Sequence, residues 1–192
     1  MGADVPADIR ELQDQLEAAE RDAEALVAGL SDAQGSRAAE VGQWSVAQCL
    51  DHLATGNRVY LRAMQESANR ARTRGRHRRR PARAGWVGRL FVSFLEPPPK
   101  WWSTRRAPRK IRPRAVPPLA ETFASFVDAQ SDVRAFLSAN ADLDLVGIRF
   151  PNPFVRGVFF TLATGLHVLA AHERRHLWQA WQVRRAIERA EE

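Results

Sequence analysis

The sequence predicts an all-α protein, an up-down-down-up type four-helix bundle with a long basic, proline-rich connection between its second and third helices. Three observations predict it. Four stretches repeat apolar residues at helical spacing, and no convincing strand pattern lies between them. Eight of the eleven prolines fall between residues 70 and 118, where they remove backbone donors and end helices. With 192 residues and 45% hydrophobic composition, the chain fits a single domain over residues 1–192 with a substantial core.

The first helix is expected over residues 5 to 30. Ile9, Leu12, Leu16, Ala19, Ala23, Leu26 and Leu30 recur at spacings of three and four, a stripe able to face a bundle core. Gly29 and the SDAQGS stretch end it. The second helix has a marked start: Ser45 caps, Gln48 completes a capping box, and Trp44 stands just outside as a staple partner. Val46, Cys49, Leu50, Leu53, Tyr60, Leu61 and Met64 then form one broad face, which Gly56 weakens but does not end.

The connection 70–118 reads as a long loop, with GWVGRLFVSFLE as a short helix carrying Trp86, Leu90, Phe94 and Leu95 on one side. A loop of that length in a compact domain usually serves a purpose or is partly disordered. The third helix follows PPLAETF, with Leu119, Phe123, Phe126, Val133 and Leu137 in a stripe broken only by Gln130. The fourth is expected from about Phe154 to Ala190, with Asn152 as cap and Pro153 in its first turn. Its stripe holds Leu162, Leu166, Leu169, His172, His176, Val183 and Ile187.

Charge is unevenly placed. Arg70 to Arg114 contains 16 Lys or Arg and one acid, Glu96, while the rest of the chain has 13 basic and 21 acidic residues. The net charge of +7 therefore hides a basic segment on an acidic body. The single cysteine, Cys49, excludes an intrachain disulfide and a thiolate zinc cluster. The start MGADVPADIRELQ lacks a secretory pattern, and no stretch approaches about 18 consecutive apolar residues. A cytoplasmic protein without a transmembrane segment is expected.

His172 and His176 raise the central chemical question. They differ by about 40° around a helix and about 6 Å along it, so their ring nitrogens can meet on one ion. An edge pair satisfied by side chains or water is the simpler account of any H-x-x-x-H on a helix. His172-Glu173-Arg174-Arg175-His176 matches H-E-x-x-H in its letters, but a zincin metalloprotease is not the expected reading. His52, bordering the apolar face of the second helix, is the third candidate. Three histidines would hold an ion and leave positions open for water or substrate. His167 lies about 140° from His172 around the helix, and His77 sits among arginines; neither is expected to join them.

Three segments also carry a family resemblance: WSVAQCLDHL from Trp44, FLEPPPK in the middle, and HERRHLWQ from His172. Together they resemble the DinB/YfiT-like superfamily, closest to its second DinB-like branch, over essentially the whole chain. The resemblance implies a DinB-like four-helix bundle, often a homodimer. It also implies a divalent metal (nickel, zinc or iron) on three histidines, which fall here on His52, His172 and His176. It further implies transferase or isomerase chemistry with a low-molecular-weight thiol, whose thiolate the metal stabilises. The Ala- and Arg-rich composition is compatible with mycothiol as that thiol.

Other residues offer less. No general base stands out: Asp51 and Glu173 read as helix-surface residues or residues supporting a ligand. Cys49 reads as a buried structural cysteine, and Trp178 and Trp181 as packing residues, with a pocket or a dimer seam as the alternative. Metal-dependent hydrolysis and a bundle whose metal is structural remain open. The basic segment, with Trp86, Trp101 and Trp102 nearby, could bind nucleic acid or enter a membrane interface. No helix-turn-helix, finger or ordered basic helix presents it, so nucleic acid is not the expected partner. A small-molecule substrate is.

Overall fold

The computed structural model describes residues 5–98 and 107–192. These form six α-helices: α1 Ala7–Val27, α2 Asp32–Ser36, α3 Val46–Thr73, α4 Trp86–Leu95, α5 Leu119–Ala139 and α6 Leu162–Arg189. A 3₁₀ turn spans Arg109–Ile111, and a small antiparallel hairpin pairs β1 Arg149–Pro151 with β2 Phe159–Thr161.

The four long helices α1, α3, α5 and α6 pack side by side, and cross-helix contacts give their directions. Gln15 meets Arg174 and Asp22 meets Trp181, so α1 and α6 run parallel. Arg58 meets Ser125 and Arg72 meets Asn140, so α3 and α5 run parallel. Gln13 with Ser138 and the Leu16 carbonyl with Gln130 set α1 against α5. His52 beside His176 and Met64 beside Gly165 set α3 against α6.

The interior has two apolar clusters. One holds Ile9, Leu12, Tyr60, Met64, Val133 and Leu166; the other holds Leu26, Leu50, Leu53, Phe126, Leu177 and Val183. Between them lies a polar layer. The Asn57 amide donates to Glu173 Oε1 at 2.8 Å, and the Gln130 amide donates to Glu173 Oε2 at 3.1 Å and to the Leu16 carbonyl at 3.0 Å. Gln130, the break in the expected stripe, is thus a fully buried partner of a buried carboxyl.

The capping box at Ser45 and Gln48 forms as the sequence suggests, and a second one, Ser31 with Gln34, nucleates α2 inside SDAQGS. The start of the last helix differs from expectation. Residues 154–161 belong to the hairpin, and α6 begins at Leu162 with the Thr161 hydroxyl accepting from the Thr164 amide at 3.1 Å. Asn152 does cap, but its Oδ1 takes the amides of Phe154 and Val155 in a local turn instead of opening a helix. Asn-Pro followed by apolar residues satisfies either geometry, and the β1 pairing decides between them.

The short helix α4 forms where expected but turns a different side inward. Phe91, Val92 and Leu95 pack on the core, whereas Trp86 is 73% exposed and Leu90 half exposed. Gly88 permits the close approach to α6: a Cβ there would stand 2.6 Å from Thr164 Oγ1. The basic segment lies on the acidic body. Arg78 pairs with Asp8 at 2.6 Å, Arg72 with Asp142 at 3.5 Å, and Arg76 and Arg80 both approach Asp144. Arg114 joins Asp51 and Glu121.

Candidate metal centre

His52 lies in the second turn of α3, and His172 and His176 stand one turn apart on α6. The antiparallel packing of those helices brings the three rings together, with centroids 4.9 Å (His52–His172), 4.4 Å (His52–His176) and 4.7 Å (His172–His176) apart. One ligand nitrogen from each lies within 4.8 Å of the others. No other group of three or more potential metal ligands with that proximity exists among the described residues.

The stripe of α6 is not quite the one read from the sequence. Leu162, Leu166, Leu169, Glu173, Leu177 and Val183 enter the core, and the two histidines flank it, partly exposed. They face a cavity of about 970 Å3. Arg175 and Trp178 line the same cavity. Gly56 gives His172 its room, since a Cβ there would come within 3.3 Å of His172 Cε1.

Two of the rings are oriented through Nδ1. His52 Nδ1 donates to the Ile111 carbonyl at 2.6 Å, and His176 Nδ1 donates to Gln179 Oε1 at 3.0 Å. A carbonyl oxygen can only accept, so each bond fixes the proton on Nδ1 and leaves the Nε2 lone pair available. His52 Nε2 lies 3.0 Å from His172 Nε2. Trp44 closes one side, its ring centroid 4.8 Å from that of His52 and 5.7 Å from that of His176.

Burial is the largest influence on all three pKa values. It lowers that of His52, and with mutual repulsion from the neighbouring histidines and Arg175 it carries His172 and His176 well below the usual range. Neutral imidazoles are the protonation state a divalent metal requires, and one ring nitrogen of each lies close to the other two.

The site depends on the basic connection, a part that sequence reasoning missed. The Ile111 carbonyl sits in the 3₁₀ turn, and the strand of chain after it is clamped to α3. Asp51 accepts from the Arg114 backbone amide at 2.9 Å and from Arg114 Nε at 3.0 Å, while Gln48 donates to the carbonyls of Arg114 and Ala115. Asp51 therefore supports the His52 ring by holding the segment that accepts its proton. The adjacency of Asp51 to His52 in sequence was the available signal.

The remaining candidates separate cleanly. Glu173 is not a surface residue: it is fully buried, and burial pushes its carboxyl up to about 7. Cys49 is fully buried, its thiol pushed up to about 12, and it takes no part in the histidine cluster. His167 approaches the Ala82 carbonyl at 3.1 Å, away from the cluster, and His77 is exposed. Trp181 donates to Asp22 at 2.9 Å and packs on the core. Trp101 and Trp102 lie outside the described residues.

The fold and site together define a predominantly helical protein with a three-histidine cluster opening on a cavity. A family model of the DinB superfamily, its DinB_2 group, matches residues 15–180. The chain belongs to the DinB superfamily. No curated protein and no solved structure gives a significant match. Among the described residues, no helix is long and apolar enough to cross a membrane.

Proposed function

We propose that His52, His172 and His176 bind one divalent transition metal and that the protein is a metal-dependent enzyme acting on a small molecule in the adjoining cavity. The observation that carries this is the convergence of three neutral imidazoles, two of them already tied through Nδ1, on a space open to that cavity. Nickel, zinc and iron all accept imidazole nitrogen, so the donor set fits any of the three. The helix directions support an up-down-down-up four-helix bundle as its frame. The single domain over residues 1–192, the homodimer and the cytoplasmic location belong to the same proposal.

The chemistry such an ion supplies when bound is Lewis acidity, which favours the deprotonated, nucleophilic form of a thiol such as mycothiol. The chain's own residues orient and enclose. Ile111 and Gln179 hold two imidazoles in the ligating tautomer, Trp44 shields them from solvent, and the cavity receives the substrate. Thiol transfer or isomerisation is favoured over hydrolysis by the placement of the carboxyls. Asp51 is engaged by Arg114 and Glu173 by Asn57 and Gln130, and neither lines the cavity to serve as a base for water. Pairing of several basic-segment arginines with the acidic body argues against a nucleic-acid role.

Elemental analysis by mass spectrometry of untagged protein, beside His176→Ala, tests the site. A near-stoichiometric metal in the parent, lost in a folded variant, is expected. A parent that takes up no nickel, zinc or iron when offered each would end the catalytic reading. With metal established, turnover with mycothiol and other small thiols tests the reaction class.

A further inference from the structure

Apolar side chains left in solvent are concentrated in one place. Nine large apolar residues are exposed among the described residues, and six of them, Trp86, Val87, Leu90, Val155, Val158 and Phe159, belong to α4 and the β1–β2 hairpin. These two elements are neighbours. The Phe91 ring of α4 stands 5.0 Å from the Phe160 ring of β2, centroid to centroid. Both elements also border the cavity beside the histidines, through Phe91 and Phe94 on one side and Phe154 and Val155 on the other. Their inward residues thus meet over one face of the bundle, and their outward residues turn to the same side of the molecule. A contiguous apolar surface of this kind marks an interaction site.

The charge interleaved with these residues has one sign. Arg83 and Arg89 flank Trp86 in the chain, Arg156 lies between Val155 and Val158, and the Arg149 guanidinium stands over the Phe159 ring, 5.7 Å from its centroid. All four arginines are exposed, and none is ion-paired with a carboxylate among the described residues. The sequence has no acid from Arg70 to Leu95 and none from Leu145 to His172. The acids bordering α4, which are Asp8, Glu11 and Glu96, lie in a second cavity on its Arg89 side, where Arg78 holds Asp8 and Arg174 holds Glu96.

We propose that α4 and the hairpin dock the protein on an anionic phospholipid surface. Trp86, Val87, Leu90 and Phe159 enter the boundary between headgroups and acyl chains, and Arg83, Arg89, Arg149 and Arg156 meet lipid phosphates. Tryptophan suits that boundary because its ring is apolar and its N–H polar, and arginine meets phosphate through a fork of donors. Apolar contact and charge attraction add together in such binding. A second copy of the chain fits the face poorly, since a two-fold contact would set these arginines against one another with no acid between them. Nucleic acid would meet the arginines but leave Val87 and Leu90 without a partner. The proposal goes beyond the function given above and does not depend on an ion being bound.

Flotation of the full-length protein with vesicles at physiological salt tests this. One set is phosphatidylcholine alone, the other equal parts phosphatidylcholine and phosphatidylglycerol. Binding to the anionic set is expected to be at least roughly tenfold stronger. Trp86→Ser combined with Leu90→Ser should weaken it by a similar factor and leave the melting temperature nearly unchanged, because both side chains are exposed. Arg83→Gln combined with Arg89→Gln should bring anionic binding toward the neutral level. Arg185→Gln combined with Arg189→Gln removes the same charge from exposed positions at the far end of α6 and should change binding little. No preference for anionic vesicles, or unchanged binding in the Trp86 and Leu90 variant, would overturn the proposal. Equal losses in the two arginine pairs would do the same, because the net charge of +7 would then suffice. A parent dimer that the Trp86 and Leu90 substitutions dissociate in sedimentation would give the face to a second copy instead. Duplex DNA that strips the parent from anionic vesicles and binds it through Trp86 and Leu90 would give it to nucleic acid. If the Trp86 and Leu90 variant does not fold, the two arginine pairs decide. His176→Ala should bind vesicles as the parent does, so docking and the metal site stand or fall separately.

Discussion

Gly56 shows how closely the candidate centre depends on single residues. Glycine inside a helix costs about 1 kcal/mol relative to alanine, so Gly56→Ala should favour α3 as a helix. The added Cβ would, however, stand 3.3 Å from His172 Cε1, tighter than an ordinary contact. The two effects separate experimentally. Gly56→Ala should leave thermal stability of the metal-free protein unchanged or raised while weakening metal affinity roughly tenfold, the lower end of what loss of ligand orientation costs. Metal-competition titration and a melt on the same sample check this. Unaltered affinity would mean that His172 tolerates displacement or does not ligate. The histidines themselves were legible in sequence, because spacing four on a helix fixes their common direction whatever the packing. Glu173 was not, although Leu166, Leu169 and Leu177 place position 173 in their own register; its charge argued for the surface, and only Asn57 and Gln130 from other helices make its burial tolerable.

At the scale of elements, the basic connection behaves as a strap whose two ends are pinned by carboxylates. Near its start, Asp8 of α1 accepts two bonds from Arg78 Nη2, at 2.6 and 2.7 Å, and the Ala82 amide. Partial burial alone would raise the Asp8 pKa; the Arg78 and Ala82 hydrogen bonds outweigh it and leave the carboxyl below its ordinary value. A depressed pKa means that the stabilisation is present above the unfolded-state value of about 3.9 and is lost as pH falls through the folded one. Asp8→Asn should therefore cost about 1 kcal/mol at pH 7, a figure kept small because the pair is partly solvated. Urea unfolding should show the gap between parent and variant closing as pH is lowered from about 5 to about 2. A gap of constant size across that range would assign the cost to packing instead. The strap's attachment was not readable beforehand, since the partners lie some 60 to 70 positions apart and composition gives only the opposite signs. By contrast the Ser45 capping box, complete within four residues, was read directly. The hairpin escaped because its strands have three residues each, too short to establish a period. The inward side of α4 escaped because apolar residues occur all round that helix.

For the whole molecule, the centre joins elements that are distant in the chain. His52 of α3, two histidines of α6 and the Ile111 carbonyl of the strap meet at one place, across antiparallel helices. A ligand that binds only when those parts are assembled stabilises the folded state as a unit, by about 2.7 kcal/mol when present at one hundred times its Kd. For a chain of this size that corresponds to a rise of roughly 5–10 °C in Tm. Nickel, zinc or iron should each be tried by calorimetric melting of metal-stripped protein, with the increment abolished by chelator and absent in His176→Ala. The increment should also depend on the strap: Asp51→Asn frees the segment that carries Ile111, so metal should still bind but protect less. An equal increment in Asp51→Asn would show either that the His52–Ile111 bond survives without the Arg114 clamp or that α3 and α6 assemble the centre without it. An increment that persisted in His176→Ala would locate the stabilising ion elsewhere.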